Sequence, residues 1–245
     1  MKQNKYDDPT FFARYSEMPR STGGLQNAGE WPAFRVLLPD LRDKRLLDLG
    51  CGFGWHCRYA REQGARSVVG IDLSEKMLER ARAETDDLQV EFRRSAIEDL
   101  NFAWGQFDVV ISSLALHYVE QFDVVCRMVS HWLTPGGVFL FSVEHPVFTA
   151  NVAQEWCLGP TGERLHWPLD DYQREGLRHT KWMVDDVIKY HRTTASYINT
   201  LIDSGFYITR FLEPSPTSEM LVQRLEWKDE CRRPMFALFS AEKAV

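Results

Sequence analysis

No run in this chain approaches the roughly 20 apolar residues that cross a bilayer. The first eight residues carry lysines and aspartates where a signal peptide would be apolar, so a cytoplasmic protein with no membrane partner is expected. Paired cysteine is also missing. The five cysteines, at positions 51, 57, 126, 157 and 231, form no C-x-x-C pair and sit in no His/Cys cluster of metal-ligand spacing. Reduced, mostly buried thiols and no metal are expected. There is no basic excess: 29 Lys and Arg stand against 35 Asp and Glu, a formal net charge of −6. A general phosphate-backbone binder has the opposite balance, so no nucleic-acid partner is expected. Internal repeats and low-complexity tracts are absent as well.

The 245 residues, 44% of them apolar, suit one large α/β domain or a domain with an insertion. From about residue 45 to 145, short apolar runs alternate with helical segments, the rhythm of a parallel sheet covered on both faces. Strands are predicted at 45–49, 67–71, 89–93, 107–112 and 137–143. Helices are predicted at 55–63, at 74–84 with Ser74 as N-cap and Lys76, Arg80 and Arg82 outside, and at 121–133. The rhythm then breaks over 144–192, where Trp156, Trp167, Trp182, Tyr172 and Tyr190 stand among glycines, prolines and charges. That density of aromatics argues for a cap over a pocket rather than a linker. A helix at 193–204 and strands at 206–212 and 233–241, with a loop at Pro214 and Pro216 between them, suggest an antiparallel hairpin at one edge of the sheet.

The motif that carries chemistry follows the first strand: Asp48, then glycines at 50, 52 and 54. Alternating glycines let the backbone turn sharply and approach a ligand with no Cβ in the way. A dinucleotide loop has the spacing G-x-G-x-x-G, which this is not. Asp72 ends the second strand about 20 residues on, where a nucleotide-binding unit places a carboxylate for ribose hydroxyls; capping of the next helix is its alternative role.

Asp-x-Gly-x-Gly-x-Gly resembles the first motif of the class I S-adenosylmethionine (SAM)-dependent methyltransferases, of the small-molecule, UbiE-like group. Three further segments resemble the same family in the same order: Ser95-Ala96-Ile97-Glu98-Asp99-Leu100 after the third strand, Phe107-Asp108 through Leu116-His117-Tyr118 around the fourth, and Leu133-Thr134-Pro135-Gly136-Gly137 before the fifth. The resemblance covers roughly residues 40–145 well. It implies a Rossmann-like seven-stranded sheet, mostly parallel, with an antiparallel C-terminal edge hairpin, helices on both faces and a cap insertion. Four parts follow: an N-terminal helical arm (1–40), the SAM-binding core (41–145), the aromatic substrate cap (146–192) and a helix with two strands completing the sheet (193–245).

The resemblance further implies that SAM is held by Asp48, Gly50, Cys51 and Gly52, with Asp72 on the ribose. Leu73, Met77, Ala96, Ile97 and Glu98 fall at the adenine, and Ser112, Ser113 and His117 near the sulfur. The family usually has Asp where this chain has Ala96. In related enzymes an N-terminal helix closes over SAM with a Tyr and an Arg at its carboxylate, which points to Tyr15 and Arg20. Packing is the competing role for Leu73, Met77, His117 and the aromatic arm.

Methyl transfer from a sulfonium needs alignment and exclusion of water more than a catalytic triad, and no triad is visible. Ligands of an open parallel sheet bind outside the carboxyl ends of its strands. Glu144 and His145, directly after the fifth strand, are therefore the first candidates for base or substrate contact, and His191, between Tyr190 and Arg192, the second. Orientation of the Pro146 turn competes for His145, and strand pairing for residues 190–192. Arg164, Arg174, Arg178 or Arg192 are candidates for an acidic group on a small organic acceptor enclosed by the cap. The protein is expected to act alone or as a homodimer. Two other functions stay open: an NAD(P)-dependent oxidoreductase, for which no Tyr-x-x-x-Lys is present, and a SAM-binding protein without turnover.

Overall fold

Strand β1 (Arg45–Leu49) sends Leu46 to one face of the sheet and Leu47 and Leu49 to the other, all three fully buried. Apolar side chains on both faces demand cover on both faces. The computed structural model describes residues 2–245. Three short helices precede β1: α1 (Pro9–Ser16), α2 (Pro19–Thr22) and α3 (Trp31–Leu37). After it the chain runs α4 (Trp55–Glu62), β2 (Ser67–Asp72), α5 (Glu75–Ala83), β3 (Val90–Arg94), β4 (Phe107–Ser113), α6 (Phe122–Trp132) and β5 (Leu133–Glu144). A short α7 (Pro146–Ala150) opens the segment predicted as a cap. Two hairpins follow, β6 (Cys157–Leu158) with β7 (Arg164–His166), and β8 (Gly176–Trp182) with β9 (Val184–His191). The chain ends with α8 (Thr194–Asp203), β10 (Phe206–Leu212), α9 (Ser218–Gln223) and β11 (Phe236–Lys243).

The large sheet has the order β10-β11-β5-β4-β1-β2-β3. Pairing is parallel from β5 through β3, while β11 runs antiparallel to both β5 and β10. This is the Rossmann-like sheet the sequence predicts. The same alternation seen in β1 recurs in β5, where Phe139, Phe141 and Val143 face one core and Leu140 the other. Phe122, Phe141, Tyr197 and Phe239 stack edge to face and face to face. Each such fully buried side chain is worth about 1.5–3 kcal/mol, and this cluster fastens α8 and β11 to the parallel half. At the exposed edge, β3 carries Glu91, Arg93 and Arg94, charges that discourage pairing with another chain.

Element ends differ from expectation for local reasons. β5 starts at Leu133, straight from α6, and takes the Thr134–Gly137 turn in as an irregularity against β4. β11 starts at Phe236 rather than 233, because Arg233 is engaged elsewhere: its guanidinium lies over the rings of Trp167 (4.1 Å) and Phe148 (4.7 Å). The 213–232 loop contains α9 and a run of 3-10 turns at Leu225–Arg232.

Candidate active site

Strand order reverses at β1, whose neighbours are β2 on one side and β4 on the other. The crevice beyond the carboxyl ends of these strands is where open α/β sheets take ligands. Here it is a cavity of about 590 Å³, within the 300–1,000 Å³ range of small-molecule sites.

The glycine loop forms one wall. Gly50 has φ +78°, and a Cβ there would collide with the Ala115 side chain beyond β4. Gly52 has φ +53°, and a Cβ there would meet no protein atom within 4 Å; its open side faces the cavity. The loop's N–H groups are largely spent on the protein itself. Gly50 and Cys51 both donate to the Ile71 carbonyl at 2.8 Å, Gly54 donates to the Cys51 carbonyl at 2.9 Å, and Gly52 donates to Asp72 Oδ2 at 2.9 Å. A pyrophosphate site needs such groups free, so this loop is not built as a dinucleotide's phosphate cradle.

Asp72 lines the cavity, half-buried, and its other oxygen accepts from Ser74 N at 2.9 Å. Burial pushes its pKa up to about 6 against the pull of the backbone donors of Ser74 and Gly52. The helix cap is Ser74, whose Oγ accepts from Met77 N. Asp48 lies beneath the loop, outside the cavity; burial raises it to about 7, opposed by the Cys57 thiol that donates to Oδ2 at 3.4 Å. Its Oδ1 has no partner. The Cys51 and Cys57 sulfurs pack on the bare Cα of Gly70.

Leu73, Met77, Ala96, Ile97 and Glu98 all line the cavity, joined by Ser95. Ser113 lines it too. Ser112 does not: it is fully buried and donates to the Leu49 carbonyl at 2.7 Å. Leu114, at the same strand tip, holds φ +55°, a costly conformation for a bulky residue, fixed by its N–H bond to the Ser142 carbonyl. His117 lines the cavity with its Nδ1 a long 3.4 Å from the Glu144 N–H, and burial drops it to about 4.

The N-terminal arm closes one side through Tyr6, Tyr15 and Arg20. Arg20 also lines a side chamber of about 50 Å³ beside Gly50, Gly52 and Ser113. Its Nη2 is 2.8 Å from Glu30 Oε1. Burial opposes its charge, but the Glu30 carboxylate outweighs that and holds the guanidinium firmly protonated. Glu30, 2% exposed, also accepts from Ser113 Oγ at 3.2 Å, and its Oε2 is buried without a partner. The sequence signal for Glu30 was slight: one acid in the apolar stretch before Trp31-Pro32. Arg80, expected on the surface, instead stacks 4.0 Å from the Phe53 ring and donates to the Ser21 carbonyl.

Beyond the Leu114 tip the walls are Tyr6, Tyr118, Phe148, Trp182, Tyr190 and Phe236, with Glu144 among them. Glu144 bonds Lys189 Nζ at 2.6 Å and Gln154 Nε2 at 3.1 Å. Burial alone would raise its pKa; the Lys189 ammonium outweighs this and lowers it.

His145 and His191 are not brought into the cavity. His145 Nδ1 accepts from Val147 N at 3.0 Å as the N-cap of α7, so Nε2 carries the hydrogen toward Glu213 Oε1 at 2.7 Å. His191 donates from Nε2 to the Tyr172 carbonyl at 2.9 Å, and its Nδ1 meets Thr149 Oγ1 at 2.7 Å. Both are occupied on both nitrogens. The four arginines expected at the acceptor lie elsewhere too. Arg164 pairs with Asp229 and Arg174 with Asp171, while Arg178 and Arg192 donate to backbone carbonyls. Of the five Trp and Tyr residues in the cap, Trp182 and Tyr190 reach the cavity, joined by Phe148; Trp156 and Trp167 pack around Arg233.

A family model for the methyltransferase domain matches residues 47–141. Over nearly the whole chain, a crystal structure of a SAM-dependent methyltransferase from Mesorhizobium loti is 46% identical, covering 90% of this chain and 100% of its own, with a TM-score of 0.85. The chain belongs to the class I SAM-dependent methyltransferases. A Listeria monocytogenes protein solved as a candidate member is 50% identical, covers 91% of this chain and 100% of its own, and has a TM-score of 0.86. Malonyl-[acyl-carrier protein] O-methyltransferase of Enterobacter lignolyticus is 33% identical over 51% of this chain and 48% of its own length. This methyltransferase thus matches about half the length of that relative of named acceptor, and nearly all of its two structural neighbours.

Among the described residues no three His, Cys, Asp or Glu side chains gather as metal ligands would, and no helix is long and apolar enough to cross a membrane.

Proposed function

We propose that the cavity binds SAM along the loop-and-arm side and a small organic acceptor in the aromatic chamber beneath the β8–β9 hairpin. One observation carries this reading. The loop that would grip a pyrophosphate has spent its amides, and a charge pair, Arg20 with Glu30, stands beside it instead. A cation and an anion 2.8 Å apart, the anion with one oxygen unpartnered, complement the carboxylate and ammonium of an α-amino acid. The adenine turn at 95–98 lies at the other end.

On this reading Asp72 takes the ribose hydroxyls, Leu73 and Met77 flank the adenine, and Ser95, Ile97 and Glu98 border its edge, with Ala96 offering shape but no acceptor. Arg20, which lines both chambers, takes the methionine carboxylate. The ammonium lies toward Glu30, which stands behind Arg20 and Ser113 and lines neither chamber. SAM supplies a methyl group on a positively charged sulfur. The chain's own contribution is to orient and to keep water out. The arm and cap meet over the cavity through Phe11, Tyr15 and Trp182, with ring centroids 5.3 and 6.2 Å apart, and through the Gln3 amide, which bonds Ile188 N and the Asp186 carbonyl. The acceptor sits against Glu144, His117 and the aromatic walls, under a lid assembled from the two ends of the cavity rather than from one insertion. Such enclosure favours a small molecule over a protein surface or a duplex.

Calorimetry with S-adenosylhomocysteine and with NAD tests the cofactor assignment. Binding of S-adenosylhomocysteine without NAD is expected, and tight NAD binding alone refutes it.

A further inference from the structure

We propose that the acceptor is an amine carried on an apolar or aromatic body, and that Glu144 receives its nitrogen. The inference rests on the cavity being the site of methyl transfer. It follows from where the charges are. Arg20 serves the opposite end with Glu30, and Lys2 and Lys5 sit at the mouth, held by Asp99 and the Asp185 carbonyl. Lys189, 1% exposed, is engaged by Glu144 and Gln154 and does not line the cavity. The arginines of the cap are bound to surface carboxylates or backbone carbonyls.

Among the described residues, the acceptor chamber therefore offers aromatic walls and the Glu144 carboxylate, with the exposed Glu120 beside Tyr190, and no cation to pair with an acid. A carboxylate or phosphate acceptor would enter beside a like charge with no guanidinium to receive it. An amine meets the reverse. Each Glu144 oxygen accepts one bond within the protein, leaving lone pairs for a second. Its pairing with Lys189 keeps it ionised even though it is buried.

The chemistry runs in the same direction. The lone pair of the neutral amine forms the N–C bond to the methyl carbon. The C–S bond breaks, its electron pair returns to sulfur as a neutral thioether, and nitrogen becomes a methylated ammonium that loses its proton to solvent. Positive charge moves from sulfur to nitrogen, toward Glu144 and the aromatic walls that include Tyr118. A fixed carboxylate and π faces stabilise charge that develops at that position.

The test uses the wild-type protein saturated with S-adenosylhomocysteine. Primary amines of graded apolar size, phenethylamine among them, are titrated beside the carboxylate and the phenol of the same body. The amine is expected to bind at least about tenfold tighter than its matched acid, and with SAM to yield the N-methyl product by mass spectrometry. Equal or tighter binding of the acids or phenols overturns the proposal, as does failure of every amine to bind. Loss of S-adenosylhomocysteine binding itself would instead sink the cofactor reading, so the two failures are separable. In E144Q, checked for unchanged S-adenosylhomocysteine affinity, the preference for amines is expected to fall about tenfold. If an unpaired Lys189 prevents folding, E144Q/K189M removes both charges of the buried pair and should give the same loss; a preference kept in either variant overturns the role of Glu144.

Discussion

If Asp72 takes the ribose hydroxyls as proposed, cofactor affinity should rise with pH between 5 and 7, because its ionised form is the stronger acceptor for both. Burial sets its midpoint at about 6. About one molecule in ten is then ionised at pH 5, and about nine in ten at pH 7. If only the ionised form accepts both hydroxyls, affinity for S-adenosylhomocysteine grows about tenfold over that range, or about 1.4 kcal/mol. Stability moves the other way in the free protein. A carboxyl whose folded pKa is raised contributes stability that is complete below its unfolded value near 3.8 and is lost as pH rises through about 6. Ligand hydroxyls donate hydrogen bonds to the ionised form, so the gain in melting temperature on binding widens with pH. His117, at about 4, is already neutral across most of this window. Of the groups that interact with Asp72, Asp7, Tyr6 and Tyr15 are a low-pKa acid and two raised phenols that do not titrate in it, whereas Asp48, raised to about 7 beneath the loop, titrates at its upper end. Calorimetry in two buffers of different ionisation enthalpy reads the proton release directly, about half a proton near pH 6. D72N supplies the control, since it should flatten the profile. An affinity that is constant or falls from pH 5 to 7, or a slope that survives D72N, refutes the reasoning.

Replacing Glu30 by Gln keeps the shape and removes a charged partner of the methionine end, at a cost of about 1.5–3 kcal/mol for a charged hydrogen bond. S-adenosylhomocysteine should bind at least about tenfold more weakly, while methylthioadenosine, which lacks the amino-acid tail, changes less than about threefold; equal losses for both ligands would show only a general disturbance. His145→Ala should lower stability by about 1 kcal/mol, the cost of a lost helix cap, and leave turnover intact; a collapse of kcat with unchanged melting temperature would restore His145 to the reaction.

The parallel half of the fold was legible because its physics is local and repetitive. β1, β2, β4 and β5 carry short, near-continuous apolar runs that suit two covered faces, and the breaks between them are marked by Ser74, the glycine loop and Pro135-Gly136-Gly137. The cap was not legible, and its composition explains why. Along β8 and β9 the inward positions are Arg178, Thr180, Val187, Lys189 and His191, all buried. A period-2 pattern is present, but it is a pattern of polar groups satisfied by carbonyls, carboxylates and hydroxyls, so a hydrophobic alternation never appears. The same substitution of polar for apolar misdirected the histidines. His145 and His191 stand where a base would be sought, next to the sheet's carboxyl edge, yet each spends both nitrogens holding backbone and side chains in position.

The two halves of the cavity differ in how far sequence can reach them. Asp72 ends β2, Leu73 and Met77 come just after it, and Gly50 and Gly52 follow β1, so motif spacing alone locates them at the crevice. The acceptor half draws Tyr6 from the arm, Tyr118 from beyond β4, Glu144 from the end of β5 and Trp182 and Tyr190 from the β8–β9 hairpin, residues separated by up to 184 positions that no spacing rule connects. What joins them is charge balance. Lys189 is drawn inward by Glu144 and withdrawn from the chamber, and the cap arginines are consumed by carboxylates and carbonyls, so among the described residues the charge left at the chamber wall beyond the Leu114 tip, away from the mouth, is negative. On the proposed reading, an acceptor specificity written in the removal of cations leaves no motif to find, because the arginines and lysines are all still present in the sequence and only the fold decides that none of the cap's cations faces the acceptor.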